Sequence, residues 1–320
     1  MGFFTSLALF LQTVAQLGTH VLFATLGGIL CEKVGNLNLG IEGIMLLGAS
    51  VGFWTALTTA SPLLTVLASA VAGMAGALIY AFVTVTLRGN QTVTGLALTT
   101  FGTGVSSMLG AQLAGKTLPA EVTTALGSRA IPVLSKIPFF GKIFFEQSPF
   151  VPLAVLTAVL LYFYYNKTTP GLSARMVGES PAAADASGIP VNLVKYLHIL
   201  AGGALCGIGG GFFAVVYAGR WQNSITSGAG WIAVALVIFA TWNPLRAILG
   251  AYLFGTVRGL GFKLQSGLQL FGMTLTFNPQ LLDMLPYLVT ILVLIVITVR
   301  KKRESQPPAS LRAPYFREER

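Results

Sequence analysis

Residues 43 to 87 contain no Asp, Glu, Lys or Arg, and the same is true of 89 to 115, 147 to 166, 196 to 219, 221 to 245 and 284 to 299. One helix crossing the hydrocarbon core of a bilayer needs roughly 20 apolar residues, so several of these runs hold one or two crossings each. Charged residues make up 9% of the chain, against about a quarter in soluble domains, and the mean hydropathy is +0.76. A water-soluble fold is thereby excluded. A transmembrane β-barrel would show segments of about ten residues with alternating polarity, whereas Leu, Ala, Val, Ile and Gly here run without alternation. The sequence therefore predicts an all-α polytopic membrane protein, with membrane lipid as an obligatory surrounding.

The formal net charge is +10, but this is not a nucleic-acid footprint. Arg300, Lys301, Lys302, Arg303, Arg312, Arg317 and Arg320, against Glu304, Glu318 and Glu319, place +4 of it after the last apolar run. Positive charge flanking a span marks the cytoplasmic side, so 301–320 is read as a cytoplasmic basic tail. Residues 1–300 form the transmembrane domain. Counting back from the tail gives spans at 281–299, 244–262, 228–242, 193–218, 150–165, 91–114, 62–87, 39–58 and 5–30, about nine crossings on the length rule, some of them interrupted. The N-terminus then lies outside and Thr169–Val191 inside. Lys33, Arg88, Lys167, Arg175, Lys195 and Arg246 fall inside, and Lys116, Arg129, Lys136, Lys142, Arg220, Arg258 and Lys263 fall outside. The opening MGFFTSLALFLQTV has no basic n-region and reads as a first membrane segment. The stretch 228–242 is short; it is counted as a span, with a broken, partly re-entrant course as the alternative. The outer segment 115–149, with Phe139, Phe140, Phe144 and Phe145 among four prolines, reads as lying along the membrane surface.

Glycine spacing describes the packing. Gly203, Gly207 and Gly211 recur every fourth residue, leaving one helix face as bare backbone against which another helix can close. Gly255 and Gly259 repeat the device. Cys31 and Cys206 stand at unrelated positions in apolar surroundings, and His20 and His198 form no ligand cluster, so neither a disulfide framework nor a metal site is implied. Both histidines read as helix-packing or interfacial residues. Gly110–Thr117 matches the nucleotide-binding pattern G-x-x-x-x-G-K-[ST], but that loop works by joining a strand to a helix N-terminus. Here it follows an apolar helix and runs into Leu118-Pro119 on the outer side. No paired carboxylates or Ser-His-Asp set point to an enzyme.

Polar residues at span ends carry more information. Gly35-Asn36-Leu37-Asn38-Leu39-Gly40-Ile41-Glu42-Gly43 sets two amides and a carboxylate between apolar runs, with glycines that let a helix break. Ionisable groups inside a membrane are costly and point to function by default. Glu42 either belongs to a polar pathway or sits at the cytoplasmic interface, accepting from the N-terminal amides of the next helix. Asn90, Gln91 and Thr94 open the following hydroxyl-rich helix in the same manner, with Thr99, Thr100, Thr103, Ser106 and Ser107 along it.

Thr169–Val191 is a polar island between two membrane runs. Ser180 suits an N-cap and Pro181 a first helical position. Ala182, Ala183 and Ala184 favour a helix of about two turns, Asp185 keeps it wet, and Gly188 with Pro190 ends it. So short a helix needs something to lie against.

GNLNLGIEGIMLLGA at 35–49, RMVGESPAAADASGI at 175–189 and VALVIFATWNPLRAILGAYLFG at 234–255 together resemble the permease subunits of bacterial ABC importers, in the branch shared by ribose-type sugar, branched-chain amino acid and nucleoside systems. The closing PQLLDMLPYLVTILVLIV looks most like the nucleoside type. The resemblance covers about 20–300. It implies two permeases, identical or paralogous, around a central pathway in the bacterial inner membrane, with cytoplasmic ATPase subunits below and an extracytoplasmic substrate-binding protein above. ATP and magnesium would sit on the ATPase, and this chain would bind no cofactor. It further implies a coupling helix at Gly178, Glu179, Ser180, Pro181, Ala184, Asp185 and Gly188, and a pathway or gate around Asn36, Asn38, Glu42, Asn90, Gln91 and Thr94. The family often has Asn where Ser180 stands, and either residue caps a helix. The implied function is import of a small polar solute, a nucleoside first and a ribose-like sugar second. An ion-coupled secondary transporter would need ionisable residues deep in its spans, and only Glu42 and Asp283 come near.

Overall fold

The computed structural model describes residues 3 to 130, 135, 141 to 265, 268 to 270, 273 to 275, single positions and pairs between 278 and 295, and 306 to 317. Of the expected final span at 281–299, the described residues between 281 and 295 are helical, whereas Asp283, Pro286 and 296–299 lie outside the described residues, as do Phe139, Phe140 and the basic run at 300–303.

Eleven helices are described: α1 Phe3–Glu32, α2 Ile41–Thr59, α3 Pro62–Ala81, α4 Gln91–Leu113, α5 Ala120–Leu126, α6 Phe150–Lys167, α7 Thr169–Glu179, α8 Pro181–Ala186, α9 Val191–Phe212, α10 Ala229–Phe239 and α11 Pro244–Gln265. α3 and α9 each finish in a π-helical turn, at Phe82–Thr86 and Phe213–Ala218. Five of them, α1, α2, α3, α6 and α9, are long and apolar enough to cross a membrane. α4 and α11 are as long, 23 and 22 residues, but more polar through their hydroxyls, glycines and basic residues. Other described pieces are a π-helical turn at Gly141–Phe145 and two short antiparallel strand pairs, 129–130 with 146–147 and 268–270 with 273–275.

α9 is the central helix and packs on α1, α2 and α3. Its glycine face explains how. A Cβ at Gly203 would lie 2.6 Å from the Gly73 carbonyl oxygen, and one at Gly207 would lie 3.0 Å from the Gly73 Cα. Backbone therefore meets backbone across α3 and α9. Gly255 does the same against α1, its absent Cβ falling 2.6 Å from the Val14 carbonyl oxygen. His20 is fully buried with its ring 4.6 Å from Phe213, and His198 bonds the Val194 carbonyl and the Tyr164 hydroxyl at 2.8 and 3.1 Å. Both are packing residues.

α10 departs from a full helical crossing. Its 11 residues span about 16 Å at 1.5 Å per residue, half of a 30 Å core. The preceding residues 219–228 run without helix beside α2, with the Trp221 ring tilted against Phe53 at 5.7 Å and Gly228 at φ +81° ahead of the first turn. The chain from 219 to 242 is thus half irregular and half helical, the broken alternative for this stretch.

The pattern Gly110–Thr117 does not join a strand to a helix N-terminus. α4 continues to Leu113, and Gly110 is a packing contact whose absent Cβ would press on the Trp221 ring.

Candidate functional site

Three groups of polar residues stand out, and the breaks in α1–α2 and α10 create the first two.

Where α10 begins inside the bundle, its first amides have no helical acceptor. Glu42, in the first turn of α2 and 6% exposed, supplies one. Its Oε1 accepts from the Thr226 hydroxyl at 2.5 Å and the Gly228 N–H at 3.0 Å, and its Oε2 accepts from the Gly230 N–H at 2.6 Å. The positive ends of two helices, α2 and α10, converge on one carboxylate. Glu42 thus does cap a helix, as one alternative had it, but the helix is distant in sequence and the position is buried within the bundle. Gly230 is obligatory there, since a Cβ would run into the Glu42 backbone N and Cα.

The second group closes the irregular stretch Gly35–Gly40. Gln91 Oε1 accepts from the Leu37 N–H at 2.7 Å, and its Nε2 reaches the Gly35 carbonyl at 3.5 Å. The Tyr80 hydroxyl donates to the Leu37 carbonyl at 2.5 Å, and Thr99 Oγ1 to the Leu39 carbonyl at 3.1 Å. Asn38 Oδ1 accepts from the Gly40 N–H at 2.8 Å, and Asn36 Nδ2 donates to Thr84 Oγ1 at 3.4 Å. Backbone that leaves a helix inside a membrane must find such partners. Asn36, Asn38 and Gln91 therefore come together, all buried. Asn90 and Thr94 do not join them: Asn90 is the N-cap of α4, accepting from the Val93 N–H at 3.1 Å, and Thr94 bonds back to the Asn90 carbonyl at 2.8 Å.

The third group is the helix pair α7–α8. Thr168 caps α7 by accepting from the Gly171 N–H at 3.2 Å, and Ser180 caps α8 by accepting from the Ala183 N–H at 3.3 Å. Gly188, at φ +82°, donates to the Asp185 carbonyl at 2.9 Å while the Ile189 N–H returns to the Ala184 carbonyl at 3.0 Å. This is the Schellman stop that glycine makes possible. Ala184 is buried, and Ala182, Ala183, Ala186 and Ser187 are exposed.

Two cavities lie at opposite ends of the bundle. One, of about 550 Å³, is lined by Lys33, Asn166, Arg175, Glu179, Trp242 and Arg246 among others. Burial lowers the Lys33 amine below its usual range, Arg175 adds to this, and Glu179 opposes it. The other, of about 630 Å³, holds Phe213, Tyr217, Arg220, Gln222, Ser227 and Arg258. Lys33, Arg175 and Arg246 thus gather at the α7–α8 end and Arg220 and Arg258 at the far end, as the two-sided reading of the charges requires.

Sequence reasoning missed Thr226, Gly228 and Gly230 as the partners of Glu42, and Trp242, whose Nε1 donates to the buried Glu32 at 2.6 Å. A signal for the first was present: hydroxyls and glycines in Ser224–Gly230, directly before an apolar run, mark a helix start.

A family model, the branched-chain amino acid transport system / permease component, matches residues 10–294. The chain belongs to this family. Among its relatives, the nucleoside ABC transporter permease protein NupC of Lactococcus lactis is 34% identical over 92% of this chain and 93% of its own length. The guanosine ABC transporter permease protein NupQ of Bacillus subtilis is 34% identical over 86% of this chain and 87% of its own. TsgC13 of Haloferax volcanii, assigned as a glucose ABC transporter permease protein, is 34% identical over 96% of this chain and 97% of its own length. An inward-facing structure of a protein assigned to the metal-chelate type of ABC transporter superposes with a TM-score of 0.51 at 13% identity, over 91% of this permease and 85% of that chain. The permease is thus a multi-pass membrane subunit of an ABC importer, and its fold is that of an ABC transporter.

Proposed function

We propose that this permease forms the pathway by which nucleosides enter the cell, driven by ATP hydrolysed on a separate subunit. Two relatives named for nucleoside and guanosine transport, each 34% identical over most of the chain, carry the substrate, and one assigned to glucose at the same identity makes a sugar the second reading. The far-end cavity suits such a solute, since Phe213 and Tyr217 offer ring faces for a base and Arg220, Gln222 and Ser227 offer polar groups. In this reading the chain sits in the bacterial cell membrane with the α7–α8 end and the tail in the cytoplasm and the N-terminus outside. A second permease copy or paralogue completes the pathway, and an extracytoplasmic binding protein delivers the solute. No cofactor binds this chain; ATP and magnesium belong to the ATPase.

The exposed face of α8 is the site that meets the ATPase. When nucleotide closes the ATPase subunits, α8 is pushed, and the motion passes through packed helices to the irregular stretch at Asn36–Asn38 and Gln91 and to the Glu42-capped start of α10, reorienting the pathway. The test is uptake of tritiated guanosine into proteoliposomes holding the permease, its ATPase and its binding protein. Uptake should require ATP and all three components. Import that persists without ATP and collapses with an ion gradient would contradict it. Import of glucose or ribose in preference to guanosine would move the substrate to the sugar class, to which the TsgC13 relative points.

A further inference from the structure

The basic tail bonds to the coupling element at Gly178, Glu179 and Asp185. Ser310, 8% exposed, donates both its N–H and its hydroxyl to the Gly178 carbonyl, at 3.0 and 2.6 Å. That carbonyl lies at the C-terminal end of α7, where helical acceptors are left open. The Ala309 N–H adds a bond to Glu179 Oε2 at 3.3 Å. Further along, the Tyr315 hydroxyl donates to Asp185 Oδ2 at 2.9 Å and Arg317 Nε pairs with the same oxygen at 3.2 Å. The tail therefore grips both ends of the coupling element, the α7–α8 hinge and α8 itself.

Its other contacts lead to the gate. The Arg312 N–H donates to the Gly35 carbonyl at 3.3 Å, directly before Asn36. Gly35 sits at φ +82°, and a Cβ there would stand 2.5 Å from Ser310 Oγ. Phe316 lies under the Arg88 guanidinium, 4.7 Å from ring centroid to cation, three residues before Gln91. One segment thus touches α8, the turn leading to Asn36 and Asn38, and the turn leading to Gln91, while Gln91 is bonded to Leu37.

We propose that residues 306–317 are a strap that makes α8 and the two gate turns move as one body, so that the ATPase stroke reaches Asn36, Asn38 and Gln91 directly. This rests on the reading of α8 as the ATPase-docking helix. The tail is placed as a strap and not as a plug over that helix, because Ala182, Ala183, Ala186 and Ser187 stay exposed beside it.

The test uses the complete importer in proteoliposomes, with the permease truncated after Ser305, with Ser310→Ala, and with Arg317→Glu. The strap predicts that the ATPase still co-purifies and still hydrolyses ATP. Guanosine imported per ATP should fall at least tenfold in the truncation and about threefold in each substitution. An unchanged ratio overturns the proposal. So does hydrolysis rising together with uptake, which would mark a plug, and so does loss of the ATPase from the complex, which would make the tail part of the docking surface. If truncation prevents insertion, Arg317→Glu carries the test, because that side chain is 73% exposed. A readout independent of solute separates failure of the strap from failure of the nucleoside reading. Spin labels at Ser187→Cys and Leu87→Cys should report one narrow distance unmoved by ATP in the full chain, and a broadened one without the strap. A nucleotide-dependent change in the full chain contradicts the single-body movement whatever the substrate.

Discussion

Glu42 accepts three hydrogen bonds that no neutral side chain can fully replace. In Glu42→Gln the amide NH₂ would face either the Gly230 N–H or the Gly228 N–H, donor against donor. Losing one bond to a charged acceptor costs about 2 kcal/mol, so the variant should melt at a lower temperature in detergent than the parent. An unaltered melting temperature would show that the carboxylate does not hold α10. Glu42 was legible as a residue of consequence because a lone carboxylate among apolar residues has few tenable places. Its partners were not, because Thr226–Gly230 lies more than 180 residues away and neither spacing nor periodicity reaches so far. Asn90 and Thr94 looked equal to Gln91 in sequence, yet a one-residue difference in helix position turns Gln91 inward and leaves Asn90 as a cap.

At the scale of the element, α8 was the most legible part of the chain, since capping and termination are local. Ser180, Pro181 and Gly188 act as their chemistry dictates. Replacing Ser180 with Ala should cost about 1 kcal/mol of helix stability, read as roughly fivefold faster amide exchange over 183–187; equal exchange would show the cap to be idle. α7 was not foreseen as a helix, because Gly171 and Gly178 dilute its propensity; tertiary packing overrides this, with both glycines buried. The glycine face of α9 was legible from its period, and its partner, Gly73 on α3, was not. Gly207→Val would drive a side chain into the α3 backbone and should reduce monodisperse protein severalfold. Gly104→Val, with nothing within 4 Å of its Cβ, should leave the yield unchanged. Equal yields from both would contradict the packing described for α3 and α9. α10 shows the limit of hydropathy: a short apolar run cannot say whether its flank is outside the membrane or descending through it, and the Glu42 bonds decide.

At the scale of the whole molecule, charge separates toward two ends, the bundle closes around α9, and the tail returns to the coupling element. The first two follow from composition and small-residue spacing. The third does not, because a short basic segment carries no periodicity and its contacts are long-range. It also changes how the coupling helix must be tested: Glu179 and Asp185 hold the tail as well as belonging to the helix, so substitutions there would disturb two functions at once. Ala183 is exposed on α8, bonds through its backbone alone, and tolerates Arg within a helix. The most direct test of an ATPase-driven permease is therefore ATP-dependent guanosine uptake by the complete importer carrying Ala183→Arg. Normal membrane insertion, loss of ATPase co-purification and at least a tenfold fall in uptake are expected. Undiminished uptake with the ATPase still bound would contradict the assignment of α8 as the place where ATP hydrolysis enters this protein.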